Sequence, residues 1–162
     1  MQRGLHLRLT PAEAARVLVT AGDDPALRAA LAALEEDVAT SGRAGEIDKA
    51  WDPIACALAP EGPAADWPAR GVIGGARSLQ HDADASWVTH SSPAEVRDVA
   101  AFLAALTDHA FRTAHTEMPD ELRNPEHGPD EESYALSWLA RLREFYAAAA
   151  ASGQHVVFSV GF

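Results

Sequence analysis

The sequence predicts an α+β fold, a small sheet that includes the N- and C-terminal strands and is covered by about six helices. Three observations carry it. Leu5, Leu7 and Leu9 alternate with His6 and Arg8 at the start, an apolar Val156–Val160 stretch closes the chain, and capped helical stripes fill the middle. The first and last strands are expected side by side. With 162 residues, 48% apolar and 23% charged, the composition is globular. A chain of this length buries roughly 68–70% of its unfolded surface without staples, so residues 1–162 are expected to form one domain.

Residues 5–9 have the period of two that marks a half-buried strand. Thr10-Pro11-Ala12-Glu13 then reads as a capping box with proline at the first helical position. That helix runs to about Thr20 and ends near Gly22. Asp24-Pro25 opens a second, with Leu27, Leu31, Leu34 and Val38 on one face, and residues 41–45 break it. Ile47, Trp51, Ile54 and Leu58 fall at i, i+4, i+7 and i+11, which predicts a third helix from around Asp48, its carboxylate capping the first turn. Pro53 inside that span demands a kink or a later start.

Residues 60–68 read as a loop anchored by Trp67, and Gly71-Val72-Ile73-Gly74-Gly75 as a short buried strand or turn. Gln80–Ser86 is an acidic loop, and Trp87-Val88-Thr89 a short strand. Ser92-Pro93-Ala94-Glu95 repeats the capping box before a stripe of Val96, Val99, Leu103 and Leu106. A short helix around Phe111 precedes an irregular, polar 116–129 segment with few apolar anchors, expected to be mobile. The last helix, 130–152, has Asp130, Glu131 and Glu132 in its first turn and Gly153 beyond its end. Tyr134, Trp138, Leu142, Phe145 and Ala149 are its expected buried face.

The formal charge of −11 argues against nucleic acid, whose phosphates need a basic stripe. An acidic surface suits a protein partner with a basic surface, in a regulatory or immunity-like role. No stretch approaches the ~20 apolar residues of a membrane span, and the start lacks an apolar signal segment. The single cysteine, Cys56, rules out an internal disulfide and fits a cytoplasmic protein. Nothing in the sequence assigns an oligomeric state.

Motifs for chemistry are incomplete. There is no Gly-x-Ser-x-Gly elbow, and Cys56 sits in an apolar helical stretch where a thiol is inert. Gly71-x-x-Gly-Gly has neither the spacing of a dinucleotide loop nor a phosphate-binding lysine, so no cofactor is expected. His81-Asp82-Ala83-Asp84 with His90 could offer metal ligands, but such residues on a polar loop are ordinarily solvated, and no metal is assigned. His109 and His115 are six apart and do not share a helix face.

One constellation stands out. Asp48, Lys49 and Trp51 place an acid, the only lysine of the chain and an indole within four residues. If helical, Asp48 and Trp51 share a side at i, i+3, and a binding patch with the Gly74–Gly75 turn is the candidate site. The plainer reading is a helix cap, a core tryptophan and a surface lysine left by codon usage that replaces lysine with arginine.

In order and spacing, Leu9-Thr10-Pro11-Ala12-Glu13, Ile47-Asp48-Lys49-Ala50-Trp51, Gly74-Gly75, Ser92-Pro93-Ala94-Glu95-Val96 and Leu142-Arg143-Glu144-Phe145-Tyr146 resemble the YfbM-like family (DUF1877). This is a bacterial domain of unknown function, and the resemblance spans nearly the whole chain. Asp52-Pro53 and the Ala- and Asp-rich 75–88 stretch depart from the pattern. The resemblance implies a compact cytoplasmic α+β domain and brings no catalytic residues with it. The expectation is therefore a non-enzymatic binding or interaction module. A small enzyme or ligand-binding protein with its pocket around Asp48, Lys49, Trp51, Gly74 and Gly75 is the alternative.

Overall fold

Two strands from opposite ends of the chain pair at the centre of the molecule. In the computed structural model, which describes residues 2–81 and 87–161, β1 (Gly4–Leu9) lies antiparallel to β5 (His155–Val160), with Leu7 opposite Val157. β2 (Ala44–Asp48) adds to the other edge of β1, while β4 (Trp87–Ser91) and the two-residue β3 (Arg77–Ser78) extend the sheet beyond β5. The five-stranded order is β2-β1-β5-β4-β3, antiparallel throughout, and the fold is α+β as expected.

Helices cover both faces of this sheet. α1 (Pro11–Leu18) and α2 (Asp24–Thr40) pack on one side, where Leu27, Leu31, Leu34 and Val38 meet Leu7, Leu9, Val88 and Val157. On the other side lie α3 (Trp51–Leu58), the single turn α4 (Gly71–Gly74), α5 (Pro93–Ala105), α6 (Asp108–Glu117) and α7 (Glu131–Ala151). Their core joins Ile54, Ile73, Val99, Leu103, Phe111, Leu139 and Tyr146 to Val156 and Phe158. Both capping boxes form, at Thr10–Glu13 and at Ser92–Glu95, and Gly153 closes α7 with φ +61°.

Several sequence expectations need correction. β1 is not half-buried: with helices on both faces, His6 is 0% exposed and packs against Phe145, Tyr146 and Phe158. Residues 44–48 are strand and not helix start, because the open edge of β1 takes their backbone groups; Gly4 pairs with Asp48 and Leu7 with Ala44. Ile47 still reaches the core, but from a strand. Asp48 adopts φ +49°, a left-handed conformation that short polar side chains tolerate, and this turns the chain so that α3 begins only at Trp51. Pro53 then falls in the first turn, where its missing N–H is not needed, the late start that it demanded.

Gly71–Gly74 is a helical turn rather than a strand, closed by Gly74 N–H donating to Arg70 O at 3.0 Å. The indole of Trp67 lies against Gly71, where a Cβ would be 2.4 Å from its ring, and its Nε1 donates to Asp98 at 3.0 Å. The expected loop anchor is thus in place. On α7 the buried line is Ala135, Leu139, Leu142, Tyr146 and Ala149, rotated from the expected one. Two of the expected aromatic residues flank this line and reach β2: Phe145 covers Gly45, and Tyr134 bonds Asp48.

The 116–129 segment is anchored by polar groups that apolar counting overlooked. Arg123 donates to the carbonyls of His115, Thr116 and Met118, and His127 bonds Glu131. The acidic 80–86 loop lies, from residue 82 onward, outside the described residues. No helix among the described residues is long and apolar enough to cross a membrane.

Arg43 fastens the first core from outside. It donates to Glu13 at 2.6 and 2.9 Å, to the Arg8 carbonyl at 3.0 Å and to Ser41 Oγ at 2.8 Å, tying α1, β1 and the α2–β2 turn together. Hydrogen bonding from Arg43, helped by the Thr10 amide and opposed by burial, brings the Glu13 carboxyl down to about 2 from 4.5. A folded-state value below the unfolded one stabilises at pH above 4.5, and that contribution is lost as pH falls through about 2. Glu13→Gln is expected to lower stability by about 2 kcal/mol near neutral pH. In urea titrations its gap from wild type should narrow between pH 4.5 and 2; a constant or widening gap contradicts this account.

His6 gives the opposite test. Neither ring nitrogen has a hydrogen-bond partner of ordinary geometry. Burial pulls its pKa from 6.5 to about 3, with the Val72 backbone offsetting only part of the effect. The unfolded chain takes up a proton below pH 6.5 that the folded protein refuses, so stability falls from there towards pH 3. His6→Leu should match or exceed wild-type stability at pH 7 and show a flatter decline on acidification. Equal slopes for the two proteins would refute a neutral, buried His6.

Candidate functional site

The Asp48–Lys49–Trp51 corner is built by the β2–α3 turn, and its polar contacts are internal. Asp48 Oδ2 accepts from the Tyr134 hydroxyl at 2.7 Å, and Arg3 stands 3.4 Å from Oδ1. The Lys49 backbone N–H donates to the same hydroxyl at 3.3 Å. Burial, then the bond to Asp48, raises the Tyr134 pKa. Trp51 donates from Nε1 to Gln2 O at 3.0 Å, and its ring meets Trp87 edge-on at 6.1 Å. Because Asp48 ends a strand, Asp48 and Trp51 do not share a helix face. The Lys49 side chain is exposed and makes no ion pair among the described residues.

Gly74 and Gly75 lie elsewhere, on a cavity of about 230 Å3 between α3, α4 and the β3–β4 end of the sheet. Ala55 of α3 forms one wall and Trp87 another, Pro63 closes one side, and the glycine turn forms the floor with Thr89. The hollow exists because the turn lacks side chains. Gly75 has φ +58°, and a Cβ on it would stand 2.6 Å from Thr89 Oγ1. Of the predicted site residues, Gly74 and Gly75 line this cavity, Trp51 backs its Trp87 wall, and Asp48 and Lys49 do not border it.

Four polar side chains border this cavity and differ in their bonding; Ser78 Oγ accepts from the Gln80 amide at 3.3 Å. Thr89 is 1% exposed, and its hydroxyl has no hydrogen-bond partner. Arg77 is fully engaged, with its terminal nitrogens 2.7 Å from His90 Nδ1 and 2.5 Å from Glu95 Oε1. Since a guanidinium only donates, His90 must accept at Nδ1 and carry its proton on Nε2, which donates to His155 Nδ1 at 2.9 Å. Burial and then Arg77 lower both imidazoles, His90 to about 4, which fits this neutral chain. Arg70, half-buried, lies over the Trp67 ring at 5.3 Å and makes one long bond, 3.4 Å, to Gly75 O.

A second polar cluster is buried where α3, α6 and α7 meet. Glu131 accepts from His115 Nε2 at 2.8 Å and from His127 Nδ1, while His127 Nε2 faces Asp52 Oδ2 at 3.8 Å. Burial raises the Asp52 carboxyl and, with Asp52 beside it, pushes the Cys56 thiol up to about 11, so this thiol is not an activated nucleophile. Among the described residues no three His, Cys, Asp or Glu side chains are arranged to hold a metal ion. Of the sequence's metal candidates, Asp82 and Asp84 lie outside the described residues, and His90 is spent on Arg77 and His155.

The model of a family described as a domain of unknown function, DUF1877, matches residues 2–159. The chain belongs to that family. Among solved structures, this DUF1877 domain resembles YfbM from Escherichia coli, a protein of unknown function, with a TM-score of 0.70. The two are 17% identical over 98% of this chain and 99% of the other, a likeness of fold alone. No curated protein matches the chain.

Within this DUF1877 domain, the sequence could point to the glycine turn but not to Arg70, Thr89 or Trp87. Nothing local marks them, since they come from a loop and from one strand, and only the sheet brings them together. The tight Gly75–Thr89 approach and the exposed Lys49 give a paired prediction. Gly75→Ala should cost about 1–3 kcal/mol, from the left-handed backbone and the displaced Thr89. Lys49→Ala should remain within about 0.5 kcal/mol of wild type. Thermal melts that reverse this order would mean the turn relaxes freely or Lys49 is engaged.

Proposed function

We propose that this domain is a non-enzymatic binding module whose ligand is a small molecule held in the cavity beside the Gly74–Gly75 turn. The unpartnered Thr89 hydroxyl carries this reading. A buried hydroxyl without a partner costs about 1–3 kcal/mol, yet valine would fill the same space without that cost. Thr89 borders the cavity, and a ligand that meets Oγ1 once the side chain turns about χ1 removes the penalty on binding.

Size supports a modest ligand. An engineered cavity of about 150 Å3 takes a benzene, so about 230 Å3 holds one ring with a short substituent. The lining supports binding rather than catalysis: among the described residues it contains no histidine, cysteine, aspartate or glutamate to move a proton or to activate the Ser78 and Thr89 hydroxyls. Gly74 and Gly75 serve as floor in this reading, and Trp51 as support for the wall. The single free cysteine, Cys56, suits a reducing cytoplasm.

Thr89→Val tests the proposal because it predicts two effects of opposite sign. The variant should melt at or above the wild-type temperature, since an unpaired hydroxyl is removed. In a screen of single-ring fragments by thermal shift and ligand-observed NMR, those that bind wild type should bind the variant about tenfold more weakly. The reading fails if no fragment binds wild type, or if Thr89→Val binds them equally well.

A further inference from the structure

We infer that the ligand of this cavity is a small monoanion, a carboxylate carried on a single ring, with Arg70 as its counter-charge. The inference rests on the proposed binding role of the cavity and adds the chemistry of what fills it.

Arg70 is the reason. Acidic residues outnumber basic ones by 24 to 13, so an arginine in this protein has ample choice of carboxylates. Arg3, Arg43, Arg77, Arg112, Arg123 and Arg143 each have one within 4 Å. Among the described residues two half-buried arginines, Arg8 and Arg70, make no ion pair; Arg8 donates to the Gly42 carbonyl at 2.8 Å, and Arg70 is the one that borders the cavity. A guanidinium cannot shed its proton to escape that situation. Arg70 is held in place instead, with its Cζ 5.3 Å from the centre of the Trp67 ring and a single long bond to the Gly75 carbonyl. Most of its five N–H donors are uncommitted to any group described, in a planar fork that matches a carboxylate.

The rest of the cavity discriminates among anions. Among the described residues no acidic side chain lines it. Arg77 also borders it, but His90 and Glu95 already occupy both terminal nitrogens, and Glu95 cancels its charge. One positive charge therefore remains, which balances one negative charge. A phosphate near −2 would bring an uncompensated charge into a protein already at −11. Thr89, whose hydroxyl has no partner, borders the same cavity, and a turn about its χ1 would offer that hydroxyl to the acid's second oxygen or to a polar group on the ring. The volume sets the ring count at one.

Matched acid and amide probes test this. Benzoate against benzamide, and phenylacetate against phenylacetamide, differ in charge at nearly constant shape. Titration calorimetry on wild type should show each acid binding at least tenfold more tightly than its amide, with the preference shrinking as salt rises. Arg70→Met, checked for folding by its melting temperature, should bind acid and amide alike, and Arg70→Lys should restore only part of the preference. If the amides bind wild type as tightly as the acids, the cavity is a small-molecule site but the anion inference is wrong. Phenyl phosphate binding more tightly than the carboxylates overturns the monoanion class. Binding by none of these probes refutes the inference, and the wider fragment screen then decides whether the binding role goes with it. An acid preference that survives Arg70→Met removes Arg70 as the counter-charge.

Discussion

The pairing of β1 with β5 is the constraint on which the rest depends. It joins residues about 150 positions apart, so of the strand pairs in the sheet it closes the longest loop and must offset the largest closure entropy. Because both strands are central, each must be apolar on two faces, and the sequence divides into two cores accordingly. Leu7, Leu9 and Val157 go to α1 and α2, while His6, Val156 and Phe158 go to the larger helical layer. A histidine in that inner position is tolerated because it stays neutral and packs as a ring among Phe145, Tyr146 and Phe158. Only once β5 is fixed can β4 dock on it, and β4 carries Trp87 and Thr89 to the cavity.

What was legible in the sequence was whatever a helix or strand decides locally. Thr10 and Ser92 announce capping boxes through a glutamate three residues on, and both boxes form as written. The α2 stripe is legible for the same reason, since Leu27, Leu31, Leu34 and Val38 meet a single face of the sheet. Residues 44–48 failed this test because their fate is set by an edge thirty-odd residues away. The spacing of Ile47 with Trp51 satisfied a helical pattern, but the ladder groups of β1 needed partners more than α3 needed another turn. On α7 the aromatic residues suggested the wrong line, since size alone says core, while Tyr134 and Phe145 are drawn sideways to Asp48 and Gly45. The candidate site was half legible. Two glycines in a row signal close approach, and Trp87-Val88-Thr89 reads as a strand, but only the pairing of that strand with β5 and β3 brings Thr89 to the glycines.

Polar groups inside this domain fall into two classes, and the contrast is informative. Glu131 bonds both His115 and His127 where three helices meet, leaving His127 Nε2 3.8 Å from Asp52 without a hydrogen bond, and Arg77, His90 and His155 form a chain whose proton positions are dictated by the arginine. Such networks stabilise a particular arrangement of elements when their members are paired. The first holds the 116–129 segment against α7, and the second fastens β3 and α5 to the sheet. Neither leaves a group aimed at an external molecule in a cavity.

His6, Arg8 and Gln154 keep unpaired atoms outside these networks, as do Arg70 and Thr89; what favours a site here is that Arg70 and Thr89 border the same cavity. A fold selected only for stability has cheap remedies at both positions: valine for a buried hydroxyl without a partner, and a neutral residue, or an acid nearby, for a half-buried guanidinium. Gly75 compounds the cost, because a left-handed glycine beside Thr89 gives up backbone entropy to keep the hollow open. Three separate departures from the stable choice converge on one volume of about 230 Å3, while the polar groups of the two buried networks are almost all paired. Local inconsistency of this kind is characteristic of places that are shaped for something other than folding. In this chain those departures share a single remedy, an occupant that brings one negative charge to Arg70 and one polar partner to Thr89.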